Sequence, residues 1–146
     1  MSDESIRKHV MGLAAEPRTT PNGAITARRK LIELTRDEAL GLLAGVRLGR
    51  IVFTRNALPA IRPVNHIVED GAIIIRTHGD SALAGQTSST GIGGVVVAYQ
   101  ADQIDPDTHK GWSVVITGYA RKANSAMPNT EVIPAGFSSL SGARIV

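Results

Sequence analysis

Residues 58 to 82 read LPAIRPVNHIVEDGAIIIRTHGDSA, and the side chains able to do chemistry there sit among branched apolar ones. Arg62, Asn65, His66, Arg76 and Thr77 share a ribbon with the unbroken run Ile73-Ile74-Ile75, which suits a strand covered on both faces. Taken alone, Arg76 reads as half of a salt bridge at a barrel rim. Asn65 reads as a residue that satisfies backbone groups or Arg76, and Pro63 as the mark of an edge, a bulge or a ligand. His66 has the chemistry for acid–base work or haem ligation, but a lone histidine on an apolar face is ordinarily a hydrogen-bonded core residue. No catalytic residue is assigned. His9, His66, His78 and His109 are scattered and form no close ligand pair, so no metal site is expected. Asp102, Asp105 and Asp107 in ADQIDPDTHKG lack the glycine and final glutamate of a calcium loop and read as a polar loop. There is no cysteine, and no Ser-His-Asp order, Walker loop or dinucleotide fingerprint. Chemistry on this chain would belong to a cofactor, with the protein supplying orientation and a dry cleft.

The elements that must position these residues are legible from turns and caps. Asp70-Gly71 is a strong two-residue hairpin turn. Counting back from it pairs Glu69 with Ala72, Ile67 with Ile74, His66 with Ile75 and Asn65 with Arg76. Both faces of that hairpin are then substantially apolar. Thr35-Arg36-Asp37-Glu38 is a capping-box pattern, and Ala39, Leu42, Leu43 and Val46 after it give a short helix with one apolar face. From Gly49 onward, short β-branched segments separated by Gly, Pro, Asn and Asp predict strands at 50–55, 60–69, 72–77, 94–101, 112–123 and about 144–146. Between the third and fourth, 81–86 suits a short helix. The runs Val95-Val96-Val97 and Val114-Val115-Ile116 repeat the two-sided apolar character. A barrel interior covers one face; the other needs a ligand or a second copy of the chain, a twofold homodimer being the commonest arrangement.

At 146 residues the chain is one domain's worth. Its hydrophobic content of 42% and charged content of 20% suit a globular protein, while aromatics at 3% leave packing to valine and isoleucine. A net charge of +3 with dispersed Lys and Arg, and no aromatic platform, argues against nucleic acid binding. The N-terminal twenty residues do not read as a signal peptide, and no apolar run approaches the ~20 residues that span a bilayer. A cytoplasmic location without membrane attachment is expected. Residues 1–33, with a short helix near Ile6 to Ala15 and a Pro, Gly and Thr-containing stretch after it, read as a partly mobile N-terminal arm; 34–146 read as the domain.

The stretches GRIVFTRNALPAIRPVNHIVEDGAIIIRT and VVVAYQADQIDPDTHKGWSVVITGYA resemble actinobacterial members of the pyridoxamine 5'-phosphate oxidase-like family. The resemblance runs from about Leu34 to Ala123. It implies a mainly β fold with a few helices, the six-stranded antiparallel split β-barrel that binds flavin, normally as a homodimer with cofactors in clefts between subunits. It implies FMN as the cofactor, with the deazaflavin cofactor or haem as alternatives used by some members. By the same resemblance Arg62, Pro63, Val64 and Asn65 run along the isoalloxazine, Arg76 and Thr77 lie toward the phosphate, Ser81 adds donors, and Trp112 is close to the dimer interface and cleft. Relatives commonly carry a lysine where this chain has Ala82, next to Asp80 and Ser81, and a helix and loop that usually follow the GWSV strand have no counterpart here. The Arg-x-His pattern of classical pyridoxamine phosphate oxidation is absent. The implied function is an FMN-dependent oxidoreductase of unknown substrate. The alternatives are a deazaflavin-dependent reductase, with Arg28-Arg29-Lys30 near that cofactor's acidic tail, or a non-catalytic binding protein that has lost tight cofactor binding.

Overall fold

The computed structural model describes residues 30–77, 82–89, 94–123 and 129–146, with the side chains of Ser88 and Ser89 left aside. The expected helix at Ile6 to Ala15, most of the N-terminal arm, Ser81 and Asp80 lie outside these residues. Among the described residues eight strands and two helices follow in the order β1 (Leu31–Glu33), α1 (Arg36–Ala44), β2 (Leu48–Arg55), β3 (Leu58–Glu69), β4 (Ala72–Arg76), α2 (Ala82–Ser89), β5 (Val95–Ile104), β6 (Gly111–Lys122), β7 (Thr130–Ile133) and β8 (Ser139–Ile145).

The strands form one antiparallel sheet in the order β1-β8-β6-β5-β2-β3-β4-β7, and β7 returns to pair with β6. That last pairing closes β6, β5, β2, β3, β4 and β7 into the expected six-stranded barrel. The sixth strand of the ring is β7, however, and not the C-terminal strand. β8 and β1 lie outside the ring, continuing the sheet from the other edge of β6. β1 falls within the segment read as arm, since Leu31, Ile32 and Glu33 pair with Ile145, Arg144 and Ala143.

The β3–β4 hairpin has the register its turn dictates, from Glu69 opposite Ala72 to Asn65 opposite Arg76. Asp70 (φ 51°) and Gly71 (φ 76°) supply the left-handed pair that such a turn needs. A second tight turn, Asn56 (φ 51°) and Ala57 (φ 63°), joins β2 to β3.

Alternation sorts the side chains. Ile51, Phe53, His66, Ile73, Ile75, Val97, Tyr99, Val114, Ile116 and Ile133 point into the barrel and are buried. α1 covers the end where β2 begins. Its capping box is complete, with the Glu38 amide donating to Thr35 Oγ1 (3.2 Å) and the Thr35 amide donating to Glu38 Oε2 (2.8 Å). Those bonds hold the Glu38 carboxyl below its ordinary pKa. Ala39 and Leu43 face inward from this helix, and Arg36 reaches back over the Phe137 ring at 4.2 Å. α2 covers the end where β2 stops: Leu83, Ala84 and Thr87 are buried, and Gln86 Nε2 donates to the Thr54 carbonyl (2.9 Å).

Candidate functional site

The site arises where two neighbouring strands part. β3 and β4 are paired only as far as Asn65–Arg76. The chain then turns away: the Thr77 amide and hydroxyl both donate to the Asn129 carbonyl (2.8 and 3.3 Å). From Val64 back to Leu58, β3 is paired with β2 alone among the described residues, so one margin is open. The His66 amide donates to the Arg47 carbonyl (2.7 Å), which turns His66 toward β2. Alternation along an antiparallel strand then turns Val64 and Arg62 toward β2 as well, and Pro63 and Ile61 toward the open margin. Pro63 lacks a donor where no ladder asks for one, which is how a proline survives inside a twelve-residue strand.

A cleft of about 250 Å³ occupies this split. Its floor is apolar: Ile51 and Phe53 from β2, Val64 from β3 and Leu83 from α2. Along its rim stand Arg62, Pro63 and Asn65 from β3, Arg76 and Thr77 at the end of β4, and Arg55 at the end of β2. Ala82, the first residue of α2, completes the wall. No carboxylate lines it among the described residues. Arg62 donates through Nη1 to the Ile61 carbonyl (2.8 Å), and none of the three guanidiniums forms an ion pair among the described residues. The salt-bridge partner that its strand position suggested for Arg76 is not found among the described residues. The result is a partly dry pocket edged with cations that no described residue neutralises, a combination that attracts an anion attached to an apolar body.

The structure thus brings together Arg62, Pro63, Val64, Asn65, Arg76 and Thr77. Ser81 lies outside the described residues, next to Ala82. Trp112 is not among the residues that line the cleft: it is the second residue of β6, opposite Gln103 and Arg144, and is 5% exposed in the core. Sequence reasoning missed Ile51, Phe53, Leu83 and Arg55. For the first two the signal was present, since they alternate with Val52 and Thr54 along a strand whose inner face must be apolar. Arg55 shares their parity, four residues beyond Ile51, and only the tight turn after it keeps it level with the cleft.

His66 takes the structural role. The Leu43 carbonyl can only accept, so Nε2 carries the proton in that bond (2.8 Å), and Nδ1 accepts from the Tyr99 hydroxyl. Both ring nitrogens are engaged. Desolvation lowers the His66 pKa against the opposing pull of the Leu43 carbonyl, and burial raises that of Tyr99. Tyr99 has room for its hydroxyl because Gly49 has no side chain; a Cβ there would collide with the phenol. The brace links α1, β3 and β5 immediately beside Asn65 and Val64.

A second buried ionisable group, Glu131 on β7, stands beside Ile75 and below α2. It has no exposed surface, and neither carboxyl oxygen makes a hydrogen bond among the described residues. Thr87 and Thr77 are near enough to soften its desolvation, but their hydroxyls donate instead to the carbonyls of Ala84 and Asn129. Burial raises its pKa, opposed by the threonines and by Lys122 across the β6–β7 pair.

The family model described as pyridoxamine 5'-phosphate oxidase matches residues 35–136, and the chain belongs to that family. It is 51% identical over 107 residues to the uncharacterized protein Rv0080 of Mycobacterium tuberculosis, covering 73% of this chain and 68% of that one. Among solved structures it is similar to an FAD binding protein from Mycobacterium smegmatis, with a TM-score of 0.65 and 28% identity over 79% of this chain and 98% of that one. A FAD-binding protein from Mesorhizobium loti shares the fold, with a TM-score of 0.64 and 13% identity over 81% of this chain and 98% of that one. No helix of the described residues is long and apolar enough to cross a membrane.

Proposed function

We propose that the chain is a flavin-binding protein that holds FMN in the split between β3 and β4 and serves as an oxidoreductase. The observation that carries this reading is the cleft itself, an apolar floor of Ile51, Phe53, Val64 and Leu83 edged by Arg62, Asn65, Arg76 and Thr77. FMN is a flat, largely apolar ring on a polar chain that ends in a phosphate. Its requirements are dry surface, donors along the chain and a cation at one end, and these residues supply each. Arg76 offers paired hydrogen bonds to phosphate oxygens, with the Thr77 hydroxyl beside it. When bound, the flavin would supply hydride or electron transfer. The residues of the chain would orient it and keep water from the ring. That a 28% identical relative is described as binding FAD supports a flavin as the class of ligand.

One chain makes only part of the site. Pockets that enclose a ligand of this size usually measure at least ~300 Å³, more than the cleft holds. The outer face of the sheet next to it is largely apolar: exposed Ile61 lies in register with half-buried Val52, Ala98 and Thr117 across β3, β2, β5 and β6, with exposed Val96 and Tyr119 in the next row. Val96 is 61% exposed and Ile61 54%. We take a second copy on this face as the other wall.

The test is the visible spectrum of the purified protein together with an FMN titration. Flavin bands and saturable binding support the reading, deazaflavin bands support that cofactor, and a colourless protein that binds neither removes both. A non-catalytic reading has one observation in its favour, Ala82 at the cleft wall in place of a cation. Accordingly Ala82→Lys should tighten FMN several-fold, by about 1 kcal/mol; an unchanged or weaker affinity would move the phosphate elsewhere.

A further inference from the structure

We propose that the cleft contains a second anion subsite headed by Arg55, separate from the phosphate position at Arg76. This rests on the flavin reading for what occupies the rest of the cleft.

The arginines of the cleft are spread along it. Arg76 is level with Asn65 on β3, Arg62 is level with Ile51, and Arg55 is level with Leu58. From Asn65 to Leu58 is seven steps of one strand, roughly 23 Å at the usual rise. Two extended arginines cannot converge on a single phosphate across that span. Yet both line the same cleft, with Arg62 between them. The arrangement therefore has one cation more than a terminal phosphate can use, placed at the far end.

Arg55 is also held there by structure. It follows Ile51 and Phe53 on the inward side of β2 and so faces the cleft rather than the outer sheet. The next two residues, Asn56 and Ala57, make the tight left-handed turn into β3. The carbonyl of Thr54 beside it accepts from Gln86 of α2 (2.9 Å), which fixes the helix wall against this strand end. Among the described residues no carboxylate lines the cleft and Arg55 makes no ion pair, so none of them compensates its cation. Like charges in a partly enclosed space raise the local concentration of anions.

The ligand chemistry is an acidic oxygen group, phosphate or carboxylate. It has two sources: the distal part of a cofactor longer than FMN, such as the second phosphate of a flavin dinucleotide, or a separate anionic substrate bound beside the ring. The two are told apart by titrating wild type, Arg55→Gln, Arg55→Lys and Arg76→Leu with FMN, with FAD, and with inorganic pyrophosphate added to the FMN-loaded protein. A lost charge-assisted contact of this kind is a change of about tenfold. If the group belongs to the cofactor, Arg55→Gln lowers the ratio of FAD to FMN affinity about tenfold, and Arg55→Lys restores part of it. If it belongs to a substrate, that ratio holds and pyrophosphate binding to the FMN-loaded protein is lost. Should wild type bind no flavin, pyrophosphate titrated alone still reads the subsite: loss in Arg55→Gln with retention in Arg76→Leu supports it while the flavin reading fails. An Arg55→Gln protein that matches wild type in every titration overturns the proposal.

Discussion

Glu131 shows what a single residue can reveal once its surroundings are known. Fully buried and without a hydrogen bond among the described residues, its carboxyl is held above its ordinary pKa by desolvation. The folded chain therefore keeps a proton that the unfolded chain releases. The stability linked to it is complete below the unfolded carboxyl pKa and is lost as pH rises through the raised folded value. Glu131→Gln should remove that loss, so its melting temperature relative to wild type should climb as pH rises above the ordinary carboxylate range. A difference that stays flat as pH rises would show that Glu131 is not protonated in the folded chain. Arg76 is the opposite case, exposed and unpaired among the described residues. Arg76→Leu should abolish flavin binding and leave the circular dichroism of the barrel intact, and Arg76→Lys should recover only part, since a point charge cannot give paired bonds. Loss of the fold would return Arg76 to a structural role. The sequence made the arginines visible because charge in an apolar ribbon is conspicuous. It hid Glu131, because a glutamate in a short segment between Asn129 and Pro134 looks like a loop residue.

Turns and caps, at the scale of elements, were the most legible features. Thr35 and Glu38 form the expected box, and Asp70-Gly71 sets the expected register. β7 and β1 were not legible, since four and three residues leave too few alternations to show a period, and both depend on partners distant in the chain. The Asn56-Ala57 turn carries a cost of its own: alanine at φ 63° is in a region that disfavours a Cβ. Ala57→Gly should relieve it, and after allowance for the extra freedom of the unfolded chain the gain should be about 0.5–1 kcal/mol, a rise of a few degrees in melting temperature. A lower melting temperature would mean that the alanine methyl makes contacts that outweigh the strain. Gly49→Ala works the other way, because its Cβ meets the Tyr99 phenol and the Gln100 carbonyl at 2.9 Å. It should destabilise the barrel and loosen the His66 brace; unchanged stability would show that Tyr99 can move aside at little cost.

For the whole molecule, the two-sided apolar strands were the clue that one chain does not cover itself. The inner faces fill the barrel, and the outer row around Val96, Tyr119 and Ile61 stays exposed. Val96→Asp should turn a dimer into a monomer by light scattering and weaken flavin binding with it, because the cleft and this face adjoin through Ile61 and Pro63. A wild-type monomer at micromolar concentration would remove the second wall. The barrel, too, is unevenly fastened. β5 and β6 are zipped along the whole length of β5, whereas among the described residues the closing seam between β6 and β7 holds Arg121–Val132, Lys122–Glu131 and the bond from the Ala123 amide to the Thr130 carbonyl. A hoop tied by so short a knot should breathe there first. Amide hydrogen exchange is expected to be fast in β7 and at the last residues of β6, and slow where β5 and β6 meet; uniform protection would show that the knot holds. Because Glu131 belongs to the seam, the same breathing sets the route by which water reaches it, so its proton should leave in step with the opening of the barrel rather than in step with the solvent.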